Sequence, residues 1–197
     1  MSVASANLVP MTLAAQPPAM VGGATRATPK RRQAGVVKKP SKAGNVVSTA
    51  GVTRAPFVPQ GDLPESIGWY RFEDKRGHSV CWRLGRDSAA EFVEKSGAVG
   101  MGDQLFHTNK VKIFYPIADE YFATRSVTIN GSATASRVLK AIEQTAQMAT
   151  AFHLQKDLGN ARPTASEVSA ELSGAVVCHL MCKRVGGGNH VYVRLTS

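Results

Sequence analysis

The first 61 residues of this 197-residue chain contain no Asp or Glu, and this absence limits what the segment can fold into. The same segment carries eight basic residues, which are Arg26, Lys30, Arg31, Arg32, Lys38, Lys39, Lys42 and Arg54. Like charges repel one another, and Phe57 is the only aromatic residue around which a core could form. Residues 1–61 are therefore predicted to be a disordered basic arm and connector.

Most of the formal charge of +10 lies on this arm, because residues 62–197 hold 16 basic and 14 acidic side chains. An extended polycation fits a polyanion, and nucleic acid is the first partner to consider. The eight basic residues are the candidate nucleic-acid-binding residues. Two other interpretations stay open, a solubilising tail and a nuclear localisation signal at residues 30–32 and 38–39.

The sequence predicts no membrane partner. No stretch reaches the run of about 20 apolar residues that crosses a bilayer. Prolines and glycines interrupt the basic segment, so an amphipathic helix cannot run along it and lie on a membrane surface. Residues 1–20 hold no basic residue, and Pro10 breaks the apolar run 8–15, which argues against a secretory signal peptide.

A long helix is predicted within residues 62–197, which have the length of one folded domain. Between Gly131 and Gly159, apolar residues recur at spacings of three and four, the period of an amphipathic helix. The predicted helix spans residues 133–156. Ser132 or Thr134 is expected to cap its start, and Gly159 to end it.

A shorter helix is predicted from Ser88 to Ser96, because Ser88 and Glu91 form a capping box and Gly97 follows as a stop. Runs of β-branched and aromatic residues predict five strands. These are Val80 to Leu84, Val111 to Tyr115, Tyr121 to Ile129, Ala175 to Cys182 and Val191 to Leu195.

The order of these elements predicts an α+β domain with an antiparallel sheet and two helices on one side of it. The glycines at 186–188 would turn the last two strands into a hairpin. The boundary between arm and domain is placed near residue 62, where prolines and glycines form an extended connector.

Three cysteines are an odd number and predict no disulfide framework, which makes a reducing compartment the default. Cys178 and Cys182 would share one face of a strand and point into the core as small apolar groups. The five histidines are scattered and lie in no catalytic motif. We therefore predict that the protein is not an enzyme and that it binds no metal, no cofactor and no small-molecule substrate.

For two further sets of residues, the sequence allows either a structural role or a role in binding nucleic acid. Trp69 and Trp82 lie among arginines, the mixture that stacks on and neutralises single-stranded nucleic acid, but burial in the core or in a subunit contact is the favoured explanation. Lys110 and Lys112 alternate with apolar residues and share one wet strand face, which either contacts phosphate or is simply solvated.

An arm without acidic residues that leads through a Pro/Gly connector into one compact domain resembles the coat proteins of small positive-strand RNA viruses. The size and layout are most similar to a barnavirus coat protein. In that family the arm of each subunit projects inward to the genome, and the folded domains pack into a shell. Many such coat proteins are eight-stranded jelly rolls, a fold that the resemblance implies as an alternative and from which the predicted long helix departs.

A second resemblance competes with the first. Residues 126–131, which run into residues 133–144, are similar to the strand, glycine and helix of Alba-type RNA-binding proteins. In that case the protein would be a cellular or viral RNA-binding protein outside the capsid class, such as a ribonucleoprotein subunit or a silencing suppressor.

The leading expectation is a structural capsid protein that assembles with many copies of itself and packages genomic single-stranded RNA through its arm. It would reside in the virion, and in the host cytoplasm before assembly. Residues 62–197 would form the shell and self-association domain.

Overall fold

A mixed sheet with three helices makes up the part of the chain that the structure, a computed structural model, describes, namely residues 44–59 and 68–196. The helices are α1 (Ala89–Lys95), α2 (Ala135–Lys156) and α3 (Ala165–Glu171), followed by a 3-10 helix at Leu172–Gly174. The strands are β1 (Thr53–Pro56), β2 (Gly68–Arg71), β3 (Trp82–Arg83), β4 (Gln104–Phe106), β5 (Lys110–Ile117), β6 (Tyr121–Thr128), β7 (Ala133–Thr134), β8 (Val176–Val185) and β9 (Gly188–Thr196).

The predicted disorder of residues 1–43 lies outside the described residues. So do seven of the eight candidate binding residues, Arg26, Lys30, Arg31, Arg32, Lys38, Lys39 and Lys42.

The main sheet has the strand order β1-β6-β5-β9-β8-β2, and β3 also pairs with β8. Two antiparallel hairpins, β5–β6 and β8–β9, meet through a parallel pairing of β5 with β9. A parallel pair needs a long connection, and here the chain between the hairpins forms α2 and α3. The predicted α+β class is confirmed, whereas the prediction of an antiparallel sheet is wrong at this central pair.

The three helices form one layer that packs on the main sheet through α2. Helix α2 packs on β5 and β6, and α1 and α3 pack on α2. Within the described residues, the second sheet is only the two-stranded pair β4–β7. The jelly-roll alternative is therefore wrong, because that fold requires two large sheets packed face to face.

Helix α2 forms because one of its faces is almost entirely apolar. Val138, Leu139 and Ile142 are fully buried, and alanines on the same face let the helix lie close to the strands. Thr134, one of the two expected caps, occupies the N-cap position, but the prediction of a side-chain capping bond is wrong because its hydroxyl accepts none. Among residues 44–59 and 68–196, no helix is both long and apolar enough to span a bilayer.

The two short helices use the same start signal. The Ser88 hydroxyl accepts a bond from the Glu91 backbone N–H, and the Glu91 carboxylate accepts one from the Ser88 N–H, which confirms the predicted capping box of α1. Thr164 and Glu167 form an equivalent box at the start of α3, a helix that was not predicted.

The chain joins the folded domain earlier than the predicted boundary at residue 62. Strand β1 pairs with β6 in the register Thr53↔Thr124 to Pro56↔Tyr121. Before β1, the Val47 N–H donates to the Pro163 carbonyl at 3.1 Å. Pro56 has no backbone N–H to donate, but an edge strand tolerates this loss. The segment that its prolines predicted to be a connector therefore forms a strand.

Cys178 forms a disulfide with Cys81, so the prediction of unpaired thiols is wrong for these two residues. A bulge in β8 between Val177 and Leu180 breaks the alternation of side chains. Cys182, beyond the bulge, is the free cysteine, and burial raises the pKa of its thiol to about 12. The bulge thus separates two cysteines that a regular strand would have placed on one face.

Gly85 lies against the backbone of the 3-10 helix, and this close approach yields a test of the packing. A Cβ at position 85 would come within 2.6 Å of backbone atoms of Leu172 and Ser173. We expect Gly85→Ala to lower the free energy of unfolding by about 1–3 kcal/mol, because backbone atoms cannot rotate away as a side chain can. Urea denaturation would measure the loss.

Gly102→Ala is the matched control, since a Cβ at position 102 meets nothing within 4 Å and the residue does not have a positive φ. Its stability should stay within about 0.5 kcal/mol of the parent protein. Equal stability of the two variants would contradict the described packing of Gly85.

Candidate nucleic-acid interface

The strands of the main sheet carry nine basic residues and no acidic one. The basic residues are Arg54, Arg71, Arg83, Lys110, Lys112, Arg125, Lys183, Arg184 and Arg194. The acidic residues of the described chain all lie in helices, turns and loops instead. The fold therefore repeats, within the domain, the separation of charge that the sequence shows between arm and domain, and it gives the sheet a positive local potential.

The sheet has two chemically different faces. On the helix face, residues such as Val111, Ile113 and Val193 pack into the core with α2. The alternating residues point to the opposite side, here called the second face. On β5, β6 and β9 these residues are Lys110, Lys112, Phe114, Phe122, Thr124, Ser126, Thr128, His190, Tyr192 and Arg194.

Aromatic rings pack together in the middle of the second face. Phe114 stacks on Tyr192 with ring centroids 4.4 Å apart, and Phe57, which follows β1, stacks on Phe122 at 4.9 Å. Arg194 lies among these rings, 5.6 Å from the Phe57 centroid, and donates to the Val58 carbonyl at 3.1 Å. Burial lowers the pKa of Arg194 from its usual value. The chain that leaves β1 therefore covers part of this face.

An open groove of about 320 Å³ lies at one end of the second face, here called the lysine groove. Its polar lining consists of Lys110, Lys112, Ser126, Thr128, Asn189 and His190, without a carboxylate. The Lys112 ammonium lies over the Phe114 ring, 5.3 Å from its centroid, within the range of a cation–π interaction. Such a lining offers cations and hydroxyl donors to an anion.

Asn189, which is 6% exposed and pairs with Val111 of the helix face, ties together the strands behind the groove. Its side-chain amide donates to the Thr108 hydroxyl at 2.8 Å and to the Lys110 carbonyl at 3.4 Å. These bonds join the start of β9 to the start of β5. The pKa of His190 is lowered by partial burial and by the positive charges of Lys112 and Lys183. The surroundings of the groove are therefore positive.

The registers of the sheet align the second-face side chains in rows that cross the strands. One row, here called the cation row, runs Ser126, Lys112, His190, Lys183 over β6, β5, β9 and β8. The next row, here called the aromatic row, runs Phe114, Tyr192, Met181, Trp69 over β5, β9, β8 and β2. The rows are two residues apart along each strand, which is about 6.7 Å.

Arg54 is the one candidate binding residue among those described, and it contacts the domain. Its guanidinium forms an ion pair with Asp157 and lies 4.3 Å from the centroid of the Tyr121 ring. Asp157 also accepts bonds from the Tyr121 hydroxyl at 2.8 Å and, at 2.7 Å, lies beside Nδ1 of His153. Binding of nucleic acid by Arg54 stays a prediction, and phosphate would have to compete with Asp157 for this side chain.

The two tryptophans have different surroundings. Trp82 is fully buried, and its indole N–H donates to the Asp87 carbonyl at 2.9 Å, so it belongs to the core. Trp69 is 47% exposed on the edge strand β2, with its ring 4.8 Å from His179. Trp69 alone of the two is accessible to a partner.

Within residues 44–59 and 68–196, no three His, Cys, Asp or Glu side chains converge in an arrangement that could hold a metal ion. Comparison of the chain with protein-family models, with curated proteins and with solved structures finds no match. The candidate interface therefore rests on its own geometry and charge.

The sequence signalled only part of this interface. The alternation around Lys110 and Lys112 predicted their shared face correctly. His190, Tyr192 and Arg194 also alternate with valines along β9, so the same rule assigns them to one face of that strand. Nothing local could have aligned Lys183 and Lys112 with His190, because that alignment depends on pairings between distant strands.

Asp157 joins β1, β6 and the end of α2, and its ionisation should make stability depend on pH. Burial would raise its pKa, but the bonds from His153, Tyr121 and Arg54 outweigh burial and lower the pKa below 3.8. The stabilisation is complete above pH 3.8, the unfolded value, and is lost as the pH falls through the lower folded pKa. At pH 7 we expect Asp157→Asn to cost about 1 kcal/mol.

Urea denaturation at pH 7 and at several pH values below 4 would test this. The stability difference between the parent protein and Asp157→Asn should shrink toward zero at the acid end. Glu94→Gln is the control, since Glu94 is an exposed residue of α1 with no ion pair in the described chain. A difference that stays constant with pH would contradict the role of the Asp157 carboxylate.

Proposed function

We propose that the protein is a coat protein that encloses genomic single-stranded RNA and binds it through its basic arm, supported by the cationic sheet. The observation that carries the proposal is the twofold separation of charge. Residues 1–61 contain no acidic residue, and neither do the strands of the main sheet. Both surfaces suit a partner whose charge is uniformly negative and repeats along its length.

The arm supplies contacts that do not depend on base sequence. Lysine and arginine side chains displace the counterions of the phosphate backbone, and the release of those ions drives binding. Because the contacts are to phosphate, one arm can bind any stretch of a genome. Many arms that act together on one RNA would multiply a modest individual affinity.

The folded domain would supply the contacts between subunits. Strand β1 pairs with residues 121–124 of β6, and in the described chain no strand pairs with the outer edge of residues 125–128. A free strand edge can pair with a neighbouring molecule. In this proposal the protein has a structural rather than catalytic role and resides in the virion, and in the host cytoplasm before assembly.

The salt dependence of RNA binding tests the arm. Seven arm cations lie before the domain, and Arg54 is paired with Asp157. With about 0.7 per phosphate contact on a single strand, these seven cations should contribute about −5 to the slope of log K against log salt. Fluorescence anisotropy of labelled oligouridylate with the full-length protein would measure this slope.

A variant with the seven arm cations changed to Gln should lose most of the slope, whereas Arg54→Gln should change it by less than one contact. Negative-stain microscopy of the heavy sedimenting fraction, with its absorbance ratio at 260 and 280 nm, tests the shell. Closed particles with nuclease-protected RNA would support the coat protein. A slope near −1 in the intact protein would exclude the arm as the binding element, and a small soluble RNA-binding species would favour the non-capsid alternative.

A further inference from the structure

We infer that single-stranded RNA crosses the second face of the sheet, with phosphates on the cation row and bases on the aromatic row. This inference rests on the proposed RNA-binding function and adds a second contact to it. The arm would hold RNA by charge alone, whereas the sheet would hold one short segment in a defined orientation.

The cation row has the charge and direction that a phosphate backbone needs. Lys112 and Lys183 flank His190 on neighbouring strands, and Ser126 extends the row by a hydroxyl. Four strands at a spacing of about 4.8 Å make the row about 14 Å long, enough for consecutive phosphates. Lys110, on the adjacent row, adds a further ammonium group at the lysine groove.

No acidic side chain of the described strands lies on either row, and Glu73 is the carboxylate that lines the cavity beside Trp69. A solvated strand face would commonly pair its lysines with carboxylates on neighbouring strands. Here the pairing partners of Lys112 are Ser126 and His190. Among the described residues, neither Lys112 nor Lys183 forms an ion pair with a carboxylate.

Phe114 and Met181 of the aromatic row are buried, so Tyr192 and Trp69 are the members that offer surface to a base. Tyr192 is half-buried with one ring face stacked on Phe114, and Trp69 is 47% exposed at the far end of the row. Aromatic side chains beside a basic track bind single-stranded nucleic acid by stacking, with little preference for base sequence. The separation of about 6.7 Å between the rows matches the step from a backbone to its bases.

Two variants of the full-length protein separate the rows. Lys112→Ala with Lys183→Ala should reduce the magnitude of the salt slope by about 1.4, since each lost phosphate contact removes about 0.7. Trp69→Ala should weaken binding of a 12-nucleotide oligouridylate about tenfold with an unchanged slope, because stacking releases no counterions.

The matched controls lie elsewhere on the domain. Lys140→Ala with Lys156→Ala removes two exposed charges of α2, and Leu158→Ala removes an exposed apolar side chain, 62% exposed. Both controls should bind as the parent protein does. A double lysine variant on the cation row that behaves like the α2 control would overturn the inference.

Tryptophan fluorescence gives a readout that does not depend on the stability of the lysine variants. Oligouridylate should quench the emission of the parent protein but not that of Trp69→Phe, whose remaining tryptophan, Trp82, is buried. Equal quenching in both proteins would contradict base stacking on Trp69. If the arm variant loses RNA binding while the row variants do not, the inference fails and the proposed function stands. If the parent protein binds no RNA, both fail.

Discussion

The parallel pairing of β5 with β9 is the constraint on which the rest of the domain depends. It joins two hairpins that would otherwise be separate, and it places Val111, Ile113 and Val191 in one apolar surface under α2. The same register sets Lys112 beside His190 and Phe114 beside Tyr192 on the other face. A slip by one residue would exchange the two faces, so the register that packs the core also aligns the surface rows.

Local signals predicted the elements whose sequence carries its own period or cap. The apolar spacing of α2, the Ser88–Glu91 box of α1 and the β-branched runs of the two hairpins were sufficient. The Thr164–Glu167 box would have given α3 by the same rule. The parallel central pair could not be predicted, because strands 70 or more residues apart choose their partners by how well they bury a shared helix rather than by local preference.

The candidate interface was predictable to a similar degree. Alternation gave the shared face of Lys110 and Lys112, but the partners of that face come from β9 and β8. Arg54 shows the opposite limit: its position in a basic segment suggested a phosphate ligand, and only the fold brings Asp157 to it. Cys178 shows a third limit of sequence-based prediction. Strand periodicity assigns its side chain to the same face as Cys182, but the bulge in β8 places it on the opposite face.

The disulfide between Cys81 and Cys178 also bears on how the domain responds to mechanical force. The bond spans a sequence separation of 97 residues and closes a loop that contains β3 to β7, all three helices and the start of β8. Tension on the chain ends would pass through the disulfide and not through the loop. The loop would therefore not extend, which removes about 330 Å of possible extension at about 3.4 Å per residue. While the bond is intact, the arm can be pulled and β9 stripped from the sheet, yet α2 and the β5–β6 hairpin bear no direct load.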